Sequence, residues 1–387
     1  MTPFRALPPC DLEDEIRSFV DAHALARRSA ELDERPEFPR AEFREMGALR
    51  LLGLRTPTEL GGRGLSLAVC GAALFHLAYR SGTTFAKLAL QPEFSSVLAE
   101  HGSSMLVERF FRPLVRGELL VGNHITEPGA GSDLRGLSLV AEKIDGHYTL
   151  NGVKSEAAFA TDADAAIVYG RVLEKGKASE LLTAFLVPQD LEGITRHSSP
   201  DLGERWMRRG SVRYENVELS EDFRIGEEGH GLEYVKSELV RERALLAAIY
   251  LGVGRASWEE TVEHARERNV LGKPLSRQQA VRFPLVEDGV HLEAAWLFTA
   301  RALAELDARH GHSSDAALAK WLATQASLRA IDHAIQFHGG RGYSKDLPYE
   351  QRWRDVRSGG IAHGPFEIML EIGAQELWPR HGSDGRS

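Results

Sequence analysis

Apolar and polar positions follow three successive rhythms along this chain. In the first third, "LEDEIRSFVDAHALARRSAEL" and "RAEFREMGALRLLGL" repeat apolar residues at a period near 3.6, which predicts amphipathic helices. "LAVCGAALFHLAYRSG" is apolar on most sides and predicts a buried helix; "SSMLVERFFRPLVRGE" predicts one more. "RTPTELGGRGLS", residues 55–66, is a Pro/Gly-punctuated loop. From about residue 119 the pattern shortens. "ELLVGNHITE", "LSLVAEKID", "HYTLNGVK", "AAIVYGRVLE", "LLTAFLVP" and "SVRYENVEL" are short segments, often β-branched, separated by turns such as "DGH", "NGV" and "LEGI". Strands in this arrangement, with no helices between them, predict an antiparallel sandwich or barrel. Long helical periods then return in "GLEYVKSELVRERALLAAIYLGVGRASWEETVEHARER", "SRQQAVRFPLVEDGVHLEAAWLFTARALAELDARHG", "SDAALAKWLATQASLRAIDHAIQFHGG" and "FEIMLEIGAQELW", and predict a bundle. The expected architecture is α+β and mostly helical: a helical domain over 1–118, a central antiparallel β domain over 119–225 and a C-terminal helical bundle over 226–387.

One position breaks the pattern. In "LVRERALLAAIYLG", Glu242 has Leu239, Leu245 and Leu246 at helical offsets of three and four, with Ile249 and Val253 beyond. A bare buried carboxylate is costly, so it is paired or holds its proton more tightly. A salt bridge to Arg241 or Arg243 is the plain reading; a functional acid is the other.

Composition narrows the class. Of 387 residues, 43% are hydrophobic and 27% charged, as in an ordinary soluble domain. The formal charge of −9, from 47 basic and 56 acidic residues, favours neither nucleic acid nor an anionic membrane. Cys10 and Cys70 are the two cysteines, with no CxxC or Cys/His spacing for a zinc site and no disulfide framework. No secretory leader is expected at the start, no apolar run is long enough to span a membrane, and the expected location is the cytoplasm. The tail "HGSDGRS" reads as a frayed end.

Three loops carry candidate chemistry. "ITEPGAGSDLRG" (125–136) follows an apolar strand, and its small residues let a backbone approach a flat ligand. It is not a dinucleotide fingerprint, because the glycines read GxGxxxxG and a strand follows. "FHGGRGY" (337–343) ends a helix, where capping explains part of it. "GVG" (252–254) lies within a helical pattern and suits close helix packing.

Taken together, "RTPTELGGRGLS", "TEPGAGSD", "LNGVK", "ERNVLGKPLSRQQA", "QFHGGRGY" and "YEQRWRDVRSGGIAHGPFEI" occur in the order seen in the acyl-CoA dehydrogenase family, and the chain resembles that family over nearly its whole length. The resemblance implies an N-terminal helical domain, a central β domain and a C-terminal four-helix bundle. It also implies bound FAD and a homodimer or homotetramer in which a neighbour supplies part of each FAD site. By the same resemblance, Thr126 matches the threonine that hydrogen-bonds the flavin, and Ser132 the serine at the flavin–thioester cleft. Arg268 matches the arginine that holds the FAD pyrophosphate across the subunit interface, a role suited to a forked guanidinium. Gln279, Gln336 and Gly340 match further FAD contacts.

The chain departs from that family in places. The flavin-shielding W-x-T after NG-x-K is absent; Glu156 and Ala158 stand there, and Phe159 is the aromatic that would cover the ring in a re-registered loop. Leu271 replaces a frequent phenylalanine, and Pro365 and Glu367 replace a threonine and a glutamine. Where many members place a catalytic glutamate this chain has His363, in "IAHGPF". Isovaleryl-CoA and long-chain members carry the base instead on the first bundle helix, in a pattern like "ERLLIA"; Glu242-Arg243-Ala244-Leu245-Leu246-Ala247 falls on it. The resemblance therefore implies α,β-dehydrogenation of an acyl thioester. Glu242 abstracts the α-proton, strengthened as a base by desolvation, while hydride passes to flavin N5. The backbone N–H of His363 polarises the thioester carbonyl, and the His363 side chain is the second choice as base. The thioester partner is CoA or an acyl-carrier protein, the electron acceptor is not named by the sequence, and no metal is implied. A flavin monooxygenase on the same fold, or a non-catalytic relative without FAD, remains an alternative.

Overall fold

The computed structural model describes residues 7–378; the expected frayed tail, 381–387, lies outside them. The order of elements along the chain is helical, then β, then helical. The first helices are α1 (Glu13–Ala22), α2 (Leu25–Glu34), α3 (Arg40–Ala48), α4 (Leu67–Ser81), α5 (Thr83–Ala89), α6 (Ser96–His101), α7 (Ser104–Leu106) and α8 (Arg112–Val115). The expected first long helix is broken into α1 and α2, because His23 Nδ1 bonds the Phe19 carbonyl (2.9 Å) and Ala24 turns left-handed at φ +46°.

The strands are β1 (Val121–His124), β2 (Val140–Ile144), β3 (His147–Ala157), β4 (Ala165–Glu174), β5 (Lys177–Pro188), β6 (Ile194–Ser198), β7 (Gly210–Ser220) and β8 (Arg224–Ile225). They form one sheet in the order β6-β7-β3-β2-β4-β5-β8, with β1 pairing β4. Most pairs are antiparallel; β1 and β2 each run parallel to β4. Alternate residues of this sheet bury a core of Tyr148, Leu150, Val168, Phe185, Val212 and Val217. The β3–β7 ladder slips twice, between Leu150 and Gly152 and between Lys154 and Ala157. Such bulges bend a strand and re-aim its side chains.

A long helix α9 (Gly231–Glu267) follows, then a hairpin of β9 (Asn269–Val270) and β10 (Lys273–Pro274), and helices α10 (Gln279–Asp307), α11 (Ser313–Phe337), α12 (Tyr349–Arg357) and α13 (Phe366–Leu377). The chain makes two compact units: residues 1–30, 66–86 and 240–387 in one, 31–65 and 87–239 in the other, the boundary falling inside α9. The first unit is helical and alanine-rich at its core, where Ala247, Ala248, Leu251, Ala295, Ala323 and Ala330 pack. Small residues bring helix backbones close. A methyl at Gly252 would lie 2.4 Å from the Phe75 carbonyl oxygen, and one at Gly254 2.6 Å from Ser327 Oγ. The "GVG" stretch is thus a packing device. Among the described residues no helix is long and apolar enough to cross a membrane, and no disulfide joins Cys10 and Cys70.

Gly254→Ala separates packing from propensity. Helix propensity alone favours alanine by about 1 kcal/mol. The new methyl would also meet the Ser327 Cα at 2.8 Å, which a rotamer change cannot relieve. Net destabilisation of about 1–2 kcal/mol is expected in urea melts; a stabilised variant would show that α9 and α11 move apart freely.

Candidate functional site

In the sheet unit, β1 delivers the chain into the loop 125–136, and one buried ion pair shapes that loop. Glu127 is 5% exposed and Lys154 fully buried. Glu127 Oε1 accepts from Lys154 Nζ (2.8 Å) and the Leu139 N–H (3.0 Å). Its Oε2 accepts from the Ser138 N–H and hydroxyl, both at 2.7 Å. Lys154 also donates to the Ile125 carbonyl (2.9 Å), and the Ser155 N–H to the Thr126 carbonyl (2.8 Å). The "TEPGAGSD" and "NGVK" segments thus hold each other. Burial pushes the Lys154 ammonium down to about 8, opposed by Glu127. Burial pushes the Glu127 carboxyl up, but the Lys154 charge and the hydrogen bonds outweigh it, leaving it below the usual carboxylate range. Thr126 is half-buried and Ser132 exposed on this pinned loop, and neither side chain bonds another described residue.

In the helical unit, Glu242 on α9 is 2% exposed. Its Oε2 lies 3.4 Å from His363 Nε2. The next residue, Arg243, is also buried and donates from Nε to the His363 carbonyl (2.9 Å). Burial holds the Arg243 guanidinium below its ordinary range while the Glu242 charge opposes that fall. Lys320 of α11, fully buried, donates to the carbonyls of Ala362 and Gly364 on either side. His363 and Gly364 are both left-handed, at φ +56° and +97°. A histidine in that region is strained by about 1–2 kcal/mol. A carboxylate, an imidazole and a cation-gripped backbone bend therefore meet at one place, with the carboxylate and ring within ion-pair distance.

At the far end of α9, Arg268 follows the last helical residue. It is exposed, and its guanidinium makes no hydrogen bond or ion pair with another described residue. The hairpin beyond it turns through Leu271 (φ +52°) and Gly272 (φ +77°), and the Leu275 N–H returns to the Arg268 carbonyl (2.7 Å). Gln279 opens α10 and Gln336 sits one residue before the end of α11, both exposed. His264 and His338 stack at 4.0 Å and tie the ends of α9 and α11 together. Burial, then the Arg268 charge, keeps His264 below its usual range. A side chain at Gly339 or Gly340 would meet nothing within 4 Å. Open backbone, an unengaged guanidinium and two unengaged amides are a donor set that suits a dinucleotide's phosphates and polar rings.

Phe159 does not behave as a ring cover. It is 2% exposed, edge-on to Phe38 (5.5 Å) and packed on Trp206 (5.6 Å), so the re-registered loop buries it in the core of the sheet unit. Glu156 stands left-handed (φ +53°) at the end of β3, 3.5 Å from Arg209, which also grips Asp201 (2.9 Å). Ala158 is half-buried beside it. Pro365 caps α13, and Glu367 in its first turn is exposed. Lys320 is the site residue that the sequence reading passed over. It interrupts a buried face of small residues, Ala316, Ala317, Ala323 and Thr324, much as Glu242 interrupts its own face.

Comparison with known proteins agrees with this layout. The family descriptions "Acyl-CoA dehydrogenase, N-terminal domain", "middle domain" and "C-terminal domain" match residues 10–118, 122–217 and 229–378. The chain belongs to the acyl-CoA dehydrogenase family, whose members are FAD-dependent oxidoreductases. It is 34% identical over 376 residues to the benzylmalonyl-CoA dehydrogenase of Aromatoleum aromaticum, covering 95% of this chain and 99% of that one. Among solved structures, the glutaryl-coenzyme A dehydrogenase complex with glutaryl-CoA superposes with TM-score 0.89 at 28% identity, covering 97% and 98% of the two chains. The prolyl acyl carrier protein oxidase AnaB does so with TM-score 0.88 at 25% identity, covering 96% and 100%.

Glu127→Gln leaves Lys154 buried without its anion and should cost about 3 kcal/mol or more. The wild-type contribution is present at neutral pH and is lost as pH falls below the ordinary 4.5 through the lower folded value. Denaturant midpoints of the two proteins should converge in acid. A gap that does not change with pH would remove the ion pair as its source.

Proposed function

We propose that this chain dehydrogenates an acyl thioester between its α and β carbons, with Glu242 as the base. The observation that carries the reading is a carboxylate held 2% exposed on α9, with the buried Leu245 and Leu246 at the next turn of its face, beside the His363 ring. A carboxylate stripped of water is a stronger base. The α-proton becomes acidic enough to remove only when fixed donors polarise the thioester carbonyl. The amide N–H of His363 is that donor, and it survives the change of side chain from the glutamate that many members carry there. The His363 ring, 26% exposed, lies against the buried carboxylate at 3.4 Å. FAD, when bound, supplies the two-electron acceptor.

Thr126 and Ser132 would hold the cofactor from the sheet unit, and Arg268, Gln279, Gln336 and Gly340 from the bundle end. Arg268 lies about 39 Å along the α9 axis from Glu242, farther than one extended FAD reaches. A second copy of the chain therefore supplies the Arg268 set, and the enzyme works as a homodimer or homotetramer. An exposed apolar stripe on α10 (Phe283, Val286, Val290 and Leu297) supports such contact.

The acyl group is carried on CoA or on a carrier protein, which share the pantetheine arm. Likeness to both benzylmalonyl-CoA dehydrogenase and a carrier-protein oxidase keeps both carriers in the test. The purified protein should be yellow. Anaerobic bleaching is then read over benzylmalonyl-CoA, glutaryl-CoA and an acyl-carrier-protein thioester. Glu242→Gln should abolish bleaching with FAD retained, and His363→Ala should keep at least about a tenth of the rate, since its backbone donor remains. Full bleaching in the glutamine variant would end the assignment of the base. A colourless protein that takes up no FAD would support the non-catalytic alternative.

A further inference from the structure

The bend at Ala362–Gly364 has three successive carbonyls, and buried cations take all of them. Lys320 Nζ binds those of Ala362 (2.5 Å) and Gly364 (2.7 Å), and Arg243 Nε binds that of His363 (2.9 Å). In a trans peptide the carbonyl of one residue and the N–H of the next point in opposite directions. Anchoring the Ala362 carbonyl on Lys320 therefore turns the His363 N–H away from α11. The left-handed backbone at His363 and Gly364 is what lets three consecutive carbonyls converge on two side chains. A histidine keeps such a conformation only where its surroundings impose it.

We propose that Lys320 is a positioning residue for the dehydrogenation: it orients and polarises the His363 amide that binds the thioester carbonyl. The inference rests on the proposed function. Orientation follows from the peptide geometry. Polarisation follows from charge, because an ammonium on the carbonyl draws electron density through the peptide bond and makes its N–H a stronger donor. Arg243 acts on the following peptide and fixes the other side of the same residue. A lysine serving only to fill a gap between α11 and the bend would fix the fold without setting the strength of this donor, and the two roles differ in a spectrum.

The probe is 4-(dimethylamino)cinnamoyl-CoA, a thioester whose absorption moves to the red when its carbonyl is hydrogen-bonded. Wild-type holoenzyme should bind it with a red shift. Lys320→Met should lose at least half of that shift, while FAD content is unchanged and probe binding weakens by no more than about tenfold. Lys320→Gln keeps a neutral donor and should fall between the two; it carries the test should the methionine variant not fold. Glu242→Gln should keep the full shift. A wild-type shift in both Lys320 variants overturns the positioning role and leaves the base assignment standing. No shift in the wild type removes the His363 donor itself, and with it this inference.

Discussion

Charge buried around one backbone bend is the constraint on which the helical unit depends. Glu242, Arg243 and Lys320 are all less than 9% exposed. Each would cost several kcal/mol to bury alone. One carboxylate does not solvate two cations, so the backbone does it. The bend at Ala362–Gly364 presents three carbonyls, and hydrogen bonds to charged groups contribute about 1.5–3 kcal/mol each. Their sum exceeds the roughly 1–2 kcal/mol of left-handed strain at His363. The bend is strained because the cations need it, and the direction of the His363 amide is a consequence.

The sheet unit uses the same device with opposite polarity. There the buried carboxylate of Glu127 collects backbone N–H groups from Ser138 and Leu139, while Lys154 takes its charge and the Ile125 carbonyl. The bulge between Lys154 and Ala157 adjoins this arrangement: Lys154 still pairs with Val212, and the N–H of Ser155, the next residue, turns to the Thr126 carbonyl of the loop. In both units an ion withdrawn from water fixes a loop that secondary structure alone would leave loose. A redox site needs such fixed loops, because misplacing donors by an ångström forfeits much of the rate.

The long helices and most strands were legible in the sequence because burial there follows a 3.6 or a 2 residue period. The strand β6 was not, because four of its five residues have no apolar alternation and it lies at a sheet edge. The short, strongly charged α12 lacked an apolar stripe. Glu242 stood out as a charge on an apolar face. Lys320 sent the same signal, but a lysine stem normally runs out to water along such a face, which made the anomaly easy to discount. Phe159 was misread because a loop aromatic is as often a core plug as a ligand cover. The two units also take in residues 66–86 and 31–65 from opposite sides of a single loop region. No local pattern reveals an exchange of that kind.

The hairpin after α9 makes sense within the proposed assembly. A two-residue turn with both residues left-handed favours Asn-Gly or Asp-Gly. This chain puts Leu271 at the first position, where the side chain is strained and 91% exposed. Both features work against the isolated chain, and a polar residue would relieve both. Burial against a second copy would return about 1.5–3 kcal/mol for the leucine side chain, enough to offset the turn. The same contact would carry the neighbouring Arg268 to a cofactor whose reactive end lies by the other copy's Glu242. In that assembly the length of α9 would set the spacing of the two active sites: one helix would place the proposed base at one centre and Arg268 at the next.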